Sequence, residues 1–166
     1  MKIKTIGKPV KADKKICLKA VRWMAHKLLG PRLYDKIYLD LVFSKKDFFE
    51  SKMHGYCEPN DGETRARFFT IAIDPTLNNK QMLMALAHEL VHLKQYAKGE
   101  LIDYVRTSHV KWRGEKIDES KINYWETPWE IEAYGREKGL YHMFKLHLKV
   151  EKDMKRRLRN GHSKRG

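Results

Sequence analysis

From residue 12 to residue 29 the apolar positions Ile16, Ala20, Trp23, Met24 and Leu28, with the Lys27 stem, recur at helical spacing. Gly30-Pro31 ends that helix, and residues 1–10 read as an extended lead-in. KIYLDLVF, 36–43, begins by alternating apolar with polar and predicts a strand. Met53–Cys57 predicts a short second strand. EPNDGE, 58–63, is a turn by its Pro, Asn, Asp and Gly, and RARFFTIAID, 65–74, is the returning strand of that hairpin. A turn over 75–79 and a cap at Asn78 or Asn79 open a long helix that Gly99 stops after Lys98. Residues 105–112 read as extended, with Gly114 as a break. Thr127-Pro128 starts a last helix, reaching about Leu158, and RRLRNGHSKRG, 156–166, reads as a frayed basic end.

The long middle helix carries a contradiction. Leu83, Leu86, Leu90, Leu93 and Ala97 form one apolar stripe, and Met84, Ala87 and Val91 fill a flank, so most of its circumference is buried. Yet His88, Glu89 and His92 sit in its centre. Polar groups placed in such surroundings need a partner. At about 100° per residue, His88 and His92 lie about 40° apart, nearly opposite the leucine stripe, so their imidazoles converge on one point facing a cleft. HELVH matches H-E-x-x-H, in which two neutral imidazoles hold a zinc ion and the glutamate beside them takes a proton from water. The alternative is a helix with two exposed histidines and a surface glutamate, against which the apolar neighbours argue.

A catalytic zinc takes three protein ligands. The best candidate for the third is Glu130 in TPWEIEAYGRE, 127–137. Glu130, Ala133, Glu137, Tyr141, Phe144 and Leu148 share one stripe of the last helix, within about 80°. That stripe is otherwise apolar and small Ala133 permits close approach of a second helix. Glu137 lies placed to accept from a ligand histidine. A competing role exists for Glu130, since Thr127-x-x-Glu130 also reads as a capping box. Glu132, on another side, and His109, in SHVKWRG, are further candidates for the third ligand.

Composition adds bounds. With 166 residues the chain fits one domain with a full core, and 42% apolar against 34% charged residues describes a globular protein rather than a disordered one. There is no internal repeat and no linker. Two cysteines, Cys17 and Cys57, are too few for a disulfide framework and indicate a reducing compartment. No apolar run resembles a signal peptide or reaches the roughly 20 residues of a membrane span, so a cytoplasmic location and no membrane partner are expected. The net charge is +14. Half of it lies in 145–166, with nine Lys or Arg against two acids, a pattern that fits either a solvated helix end or phosphate contact with nucleic acid.

HELVHLKQYAKGE, then VKWRG, then YW-x-x-PWEIEAYGRE, together resemble the gluzincin group of zinc metallopeptidases and the small SprT-like proteins found in phage and virus genomes. The resemblance spans roughly residues 65–145. It implies an α+β fold: a single zincin-like domain over 1–150, with a small twisted, mostly antiparallel sheet packed on the H-E-x-x-H helix between N- and C-terminal helices; the charge run leaves 151–166 as a basic tail beyond it. The resemblance implies that the sheet's edge strand takes an extended peptide, for which RARFFTIAID is the candidate. The implied activity is peptide hydrolysis, with Zn²⁺ held by His88, His92 and Glu130, Glu89 as general base, and Tyr124, Tyr134, Tyr141 or His142 as donor to the oxyanion. Two other readings stand beside it: a nucleic-acid-associated protein working through its basic tail, and a metal-binding protein without turnover.

Overall fold

A computed structural model describes residues 1–46, 53–104 and 107–162, with side chains to residue 160. Strand β1 (Lys2–Ile6) leads into helix α1 (Lys14–Leu29), capped by Asp13, whose carboxylate accepts from the backbone N–H of Lys15 at 2.7 Å and of Ile16 at 3.2 Å. Gly30, at φ 74°, ends α1, and Pro31 opens the short α2 (Pro31–Tyr34). Strands β2 (Tyr38–Phe43), β3 (Gly55–Pro59) and β4 (Phe68–Ile73) complete a four-stranded sheet in the order β1-β2-β4-β3. The predicted hairpin is present, β3 and β4 pairing antiparallel with Gly55 opposite Ile73 and Pro59 opposite Phe69.

Two expectations about this sheet are corrected. It is not mostly antiparallel: β1 pairs with β2 in parallel, and β2 with β4 in parallel. The physical reason is the crossover. Helix α1 carries the chain back to the end where β1 began, so β2 must enter in the same direction. The hairpin then places β4 between β2 and β3. RARFFTIAID is therefore not the edge strand either. Strand β4 is paired on both sides, and the edge beside it is β3. Its inward residues Phe69, Ile71 and Ile73 join Leu39, Leu41 and Phe43 of β2 in the main core.

Helix α3 (Asn79–Lys98) is capped as its sequence predicts. Asn78 Oδ1 accepts from the N–H of Lys80 and Gln81, and Gln81 Oε1 accepts from the Asn78 N–H. Gly99 ends it at φ 69°, with the hairpin loop pressed close: a Cβ there would stand 3.0 Å from the Thr64 carbonyl oxygen. Helix α3 packs against α1, α4, β3, β4 and β5, and is buried almost all round.

Beyond α3 the sequence pattern is too weak to show a second sheet. Strands β5 (Leu101–Asp103), β6 (His109–Trp112) and β7 (Glu115–Asp118) form an antiparallel unit, closed by a tight turn at Arg113 and Gly114, both with positive φ. Of the stretch read as extended, 105–106 lie outside the described residues. Leu101, Val110 and Trp112 pack with Trp129 as a small separate core under the start of helix α4 (Pro128–His162). Helix α4 buries Ala133, Leu140 and Phe144 and continues without a break past 150 to 162, beyond the expected end near Leu158. No proline intervenes before 162 to stop it, and Glu151 supports it through an i,i+4 ion pair with Lys155 at 3.0 Å and a bond to Lys19 of α1. Residues 163–166 of the basic end lie outside the described residues. No described helix is long and apolar enough to cross a membrane.

Candidate metal centre

Helices α3 and α4 meet where the histidines and Glu130 face one another. One ligand atom from each of His88, His92 and Glu130 lies within 4.8 Å of the others, and all three residues are buried. The two imidazole Nε2 atoms are 3.1 Å apart. Glu130 Oε2 is 3.3 Å from His88 Nε2, and Oε1 is 3.4 Å from His92 Nε2. Both carboxylate oxygens are thus turned to the histidines, and the capping-box role for Glu130 is not taken up; the Thr127 hydroxyl donates instead to the Tyr124 carbonyl at 2.7 Å.

The outer partners fix which ring nitrogens carry hydrogen. His88 Nδ1 is 3.2 Å from Glu137 Oε2, a carboxylate that can only accept. His92 Nδ1 is 2.9 Å from Gln95 Oε1, and that amide's orientation is set by its NH₂, which donates to the Trp129 carbonyl and to Glu132 Oε2, each at 3.0 Å. Both Nδ1 atoms therefore donate outward, and both Nε2 lone pairs point at each other and at Glu130. Glu130 Oε2 is moreover buried without a hydrogen-bond partner. Three electron-pair donors converge with nothing positive between them. The donor set fits a metal ion that accepts imidazole nitrogen and carboxylate oxygen. Burial works against charge on His92, but Glu130 and Glu89 outweigh it and hold its pKa above the ordinary value. Burial likewise raises Glu130, but the two histidines overcome it and bring its carboxyl down to about 2.

Glu89 stands beside this cluster, 5% exposed and facing a cavity of about 770 Å³ that also receives His88, His92 and Glu130. Burial pushes its carboxyl up to about 7, against the lowering pull of the histidines. Strand β3 forms a wall of the cavity, and Gly55 on it lies so near that a Cβ would be 3.0 Å from Glu89 Oε1. Cys57 faces the same space, but burial first, then Glu89, pushes its thiol well up and keeps it from acting as a thiolate.

The other sequence candidates fall elsewhere. Glu132 does not join the cluster; it accepts from Lys94 Nζ at 2.8 Å and Arg136 Nε at 2.9 Å, besides Gln95. His109 sits on β6 opposite Asp118 in the strand pairing, outside the cluster. Tyr124 and Tyr134 line the cavity, Tyr134 with its ring 4.5 Å from that of His88. Tyr141 packs against the main core and His142 stands edge-on to it, so neither lines the cavity. Lys94 and Gln95 are the supporting residues that the sequence reading missed. The signal was available: two polar side chains inside the otherwise apolar α3, Gln95 three residues after His92, where side chains on a helix meet.

Comparisons with protein-family models, curated proteins and solved structures give no match to this chain. Its own geometry defines its class: an α+β protein whose buried His88, His92 and Glu130 can hold a metal ion.

Proposed function

We propose that the protein is a zinc-dependent metallopeptidase of the gluzincin or SprT-like kind, working in a reducing cytoplasm. The observation that carries this reading is the convergence of His88, His92 and Glu130 with Glu89 buried alongside. Two imidazoles and one carboxylate are a donor set suited to catalytic zinc, which keeps a fourth position open. When bound, zinc supplies Lewis acidity: it brings the pKa of a water towards about 7 and polarises a carbonyl. Glu89, buried beside the centre and facing the cavity, is placed to take a proton from the attacking water onto its carboxylate and deliver it to the leaving amine. Tyr124 and Tyr134 offer hydroxyl donors on the same side as Glu130 for the developing oxyanion. Strand β3, the sheet edge along the cavity, is the place for an extended substrate, and Gly55 leaves room for it beside Glu89.

The test is direct. Purified protein should carry close to one zinc, digest an unfolded protein substrate, and lose that activity as Glu89→Gln while retaining the zinc. A Glu89→Gln protein as active as the parent would refute the mechanism.

A second reading is nucleic-acid contact, alone or together with proteolysis. It is favoured by the far end of α4, where Lys152, Lys155, Arg156, Arg157 and Arg159 are all exposed on one helix. The slope of DNA affinity against salt concentration should fall when the chain is ended at Val150; an unchanged slope would dismiss it.

A further inference from the structure

The cavity and the rest of the molecule have opposite charge. The chain as a whole carries +14. Among the described residues, the cavity is lined by five carboxylates, Glu89, Asp103, Glu119, Glu130 and Glu137, and by no lysine or arginine. Three of these serve the metal centre, and a bound divalent cation offsets much of their charge. Asp103 and Glu119 do not. They sit away from the histidines, exposed, with no ion pair to either among the described residues.

The small sheet brings them together. Asp103 ends β5 opposite Val110, while Glu119 follows β7 and donates its backbone N–H to the Ser108 carbonyl at 2.8 Å, so both stand at one end of the three strands. Burial first, and then the Asp103 charge, hold the Glu119 carboxyl above its ordinary value. Tyr96 and Trp129 line the cavity as well, aromatic faces of the kind that attract cations. Glu130 Oε2, which faces His88 in the metal centre, lines the same cavity and is buried without a hydrogen-bond partner.

Resting on the peptidase reading above, we infer that the cleft selects polypeptides bearing a lysine or arginine side chain, seated between Asp103 and Glu119 against the aromatic wall. A cleft of one sign focuses its field inside low-dielectric walls, so a basic side chain is drawn in although the exterior repels it. Overall charge and cleft charge thus predict opposite substrates, acidic for the first and basic for the second.

Fluorescence anisotropy decides between them. Zinc-loaded Glu89→Gln protein is titrated into three labelled peptides of equal length that differ at one position, lysine, norleucine or glutamate. The lysine peptide should bind about tenfold more tightly than the norleucine peptide, about 1.4 kcal/mol, and the glutamate peptide most weakly. In an Asp103→Asn, Glu119→Gln double variant with unchanged zinc content and circular dichroism, that preference should shrink to about twofold. Strongest binding of the glutamate peptide, no binding of any peptide, or a lysine preference untouched by the double variant would each overturn the inference. Parent protein tested for hydrolysis of the same peptides separates the two readings: selective binding without cleavage refutes the peptidase, whereas cleavage without preference for lysine refutes only the selectivity.

Discussion

Replacing Gln95 by leucine tests whether the outer shell of the centre sets the metal's grip. Gln95 makes three contacts that matter: it accepts from His92 Nδ1 at 2.9 Å and donates to the Trp129 carbonyl and to Glu132, each at 3.0 Å. Leucine fills similar space but leaves the buried His92 Nδ1–H without a partner, while the Trp129 carbonyl keeps its bond within α4 and loses only a second donor. Glu132 keeps Lys94 and Arg136. At about 1–3 kcal/mol for that one orphaned group, the loss of stability is about 1–3 kcal/mol, read by urea unfolding of metal-free protein. His92 also loses the acceptor that fixes its tautomer, so zinc affinity should fall about 10- to 100-fold in a chelator competition. Gln95→Glu separates the two effects. A glutamate keeps an acceptor for His92 but faces Glu132 and cannot donate to Trp129. It should lose stability while holding zinc within about tenfold of the parent. A leucine variant that binds zinc as tightly as the parent would refute the claim that the amide orients His92.

Three further outcomes are expected. Burial places Glu89 at about 7 against an ordinary 4.5, so in metal-free protein the folded state holds its proton over that interval. Its contribution to stability, about 3 kcal/mol, is full below about pH 4.5 and is lost as pH rises through about 7; metal-free Glu89→Gln should flatten that slope in urea unfolding across the range. Glu130→Ala should abolish stoichiometric zinc in metal analysis, while His109→Ala leaves it unchanged; the reverse result would move the third ligand to β6. Gly55→Ala would set a Cβ 3.0 Å from Glu89 Oε1 and 3.1 Å from the Ala72 carbonyl oxygen, so stability should fall by about 1–3 kcal/mol and hydrolysis with it, while zinc content stays constant.

Much of the centre was legible because helices carry their geometry in their spacing. His88 and His92 converge by the four-residue step alone, and Glu130 and Glu137 share a stripe with Ala133 and Phe144 that had to face inward. The caps of α3 were equally plain, since Asn78, Gln81 and Gly99 act within a few residues of themselves. Strand pairing was not legible. Nothing local in KIYLDLVF or RARFFTIAID distinguishes a parallel neighbour from an antiparallel one, because the partner is chosen by where α1 returns the chain. The second sheet was hidden for a related reason. Strands of three or four residues are too short to show a period, and Asp103 and Glu119 read as unremarkable surface acids until β5, β6 and β7 bring them to one end.

Lys94 gives the centre a property that its ligands alone would not. Its ammonium, on a residue 5% exposed, lies between Glu132 on α4 and Glu100 just after α3. Drawing the two helices apart would break the Lys94–Glu132 pair, while Glu100 would stay with Lys94 and Arg136 with Glu132, so this one buried contact ties α3 to α4. The jaws are therefore set before any ion arrives. Stopped-flow uptake of Co²⁺ should then follow a single phase whose rate scales with ion concentration and shows no plateau from a slow rearrangement of the chain.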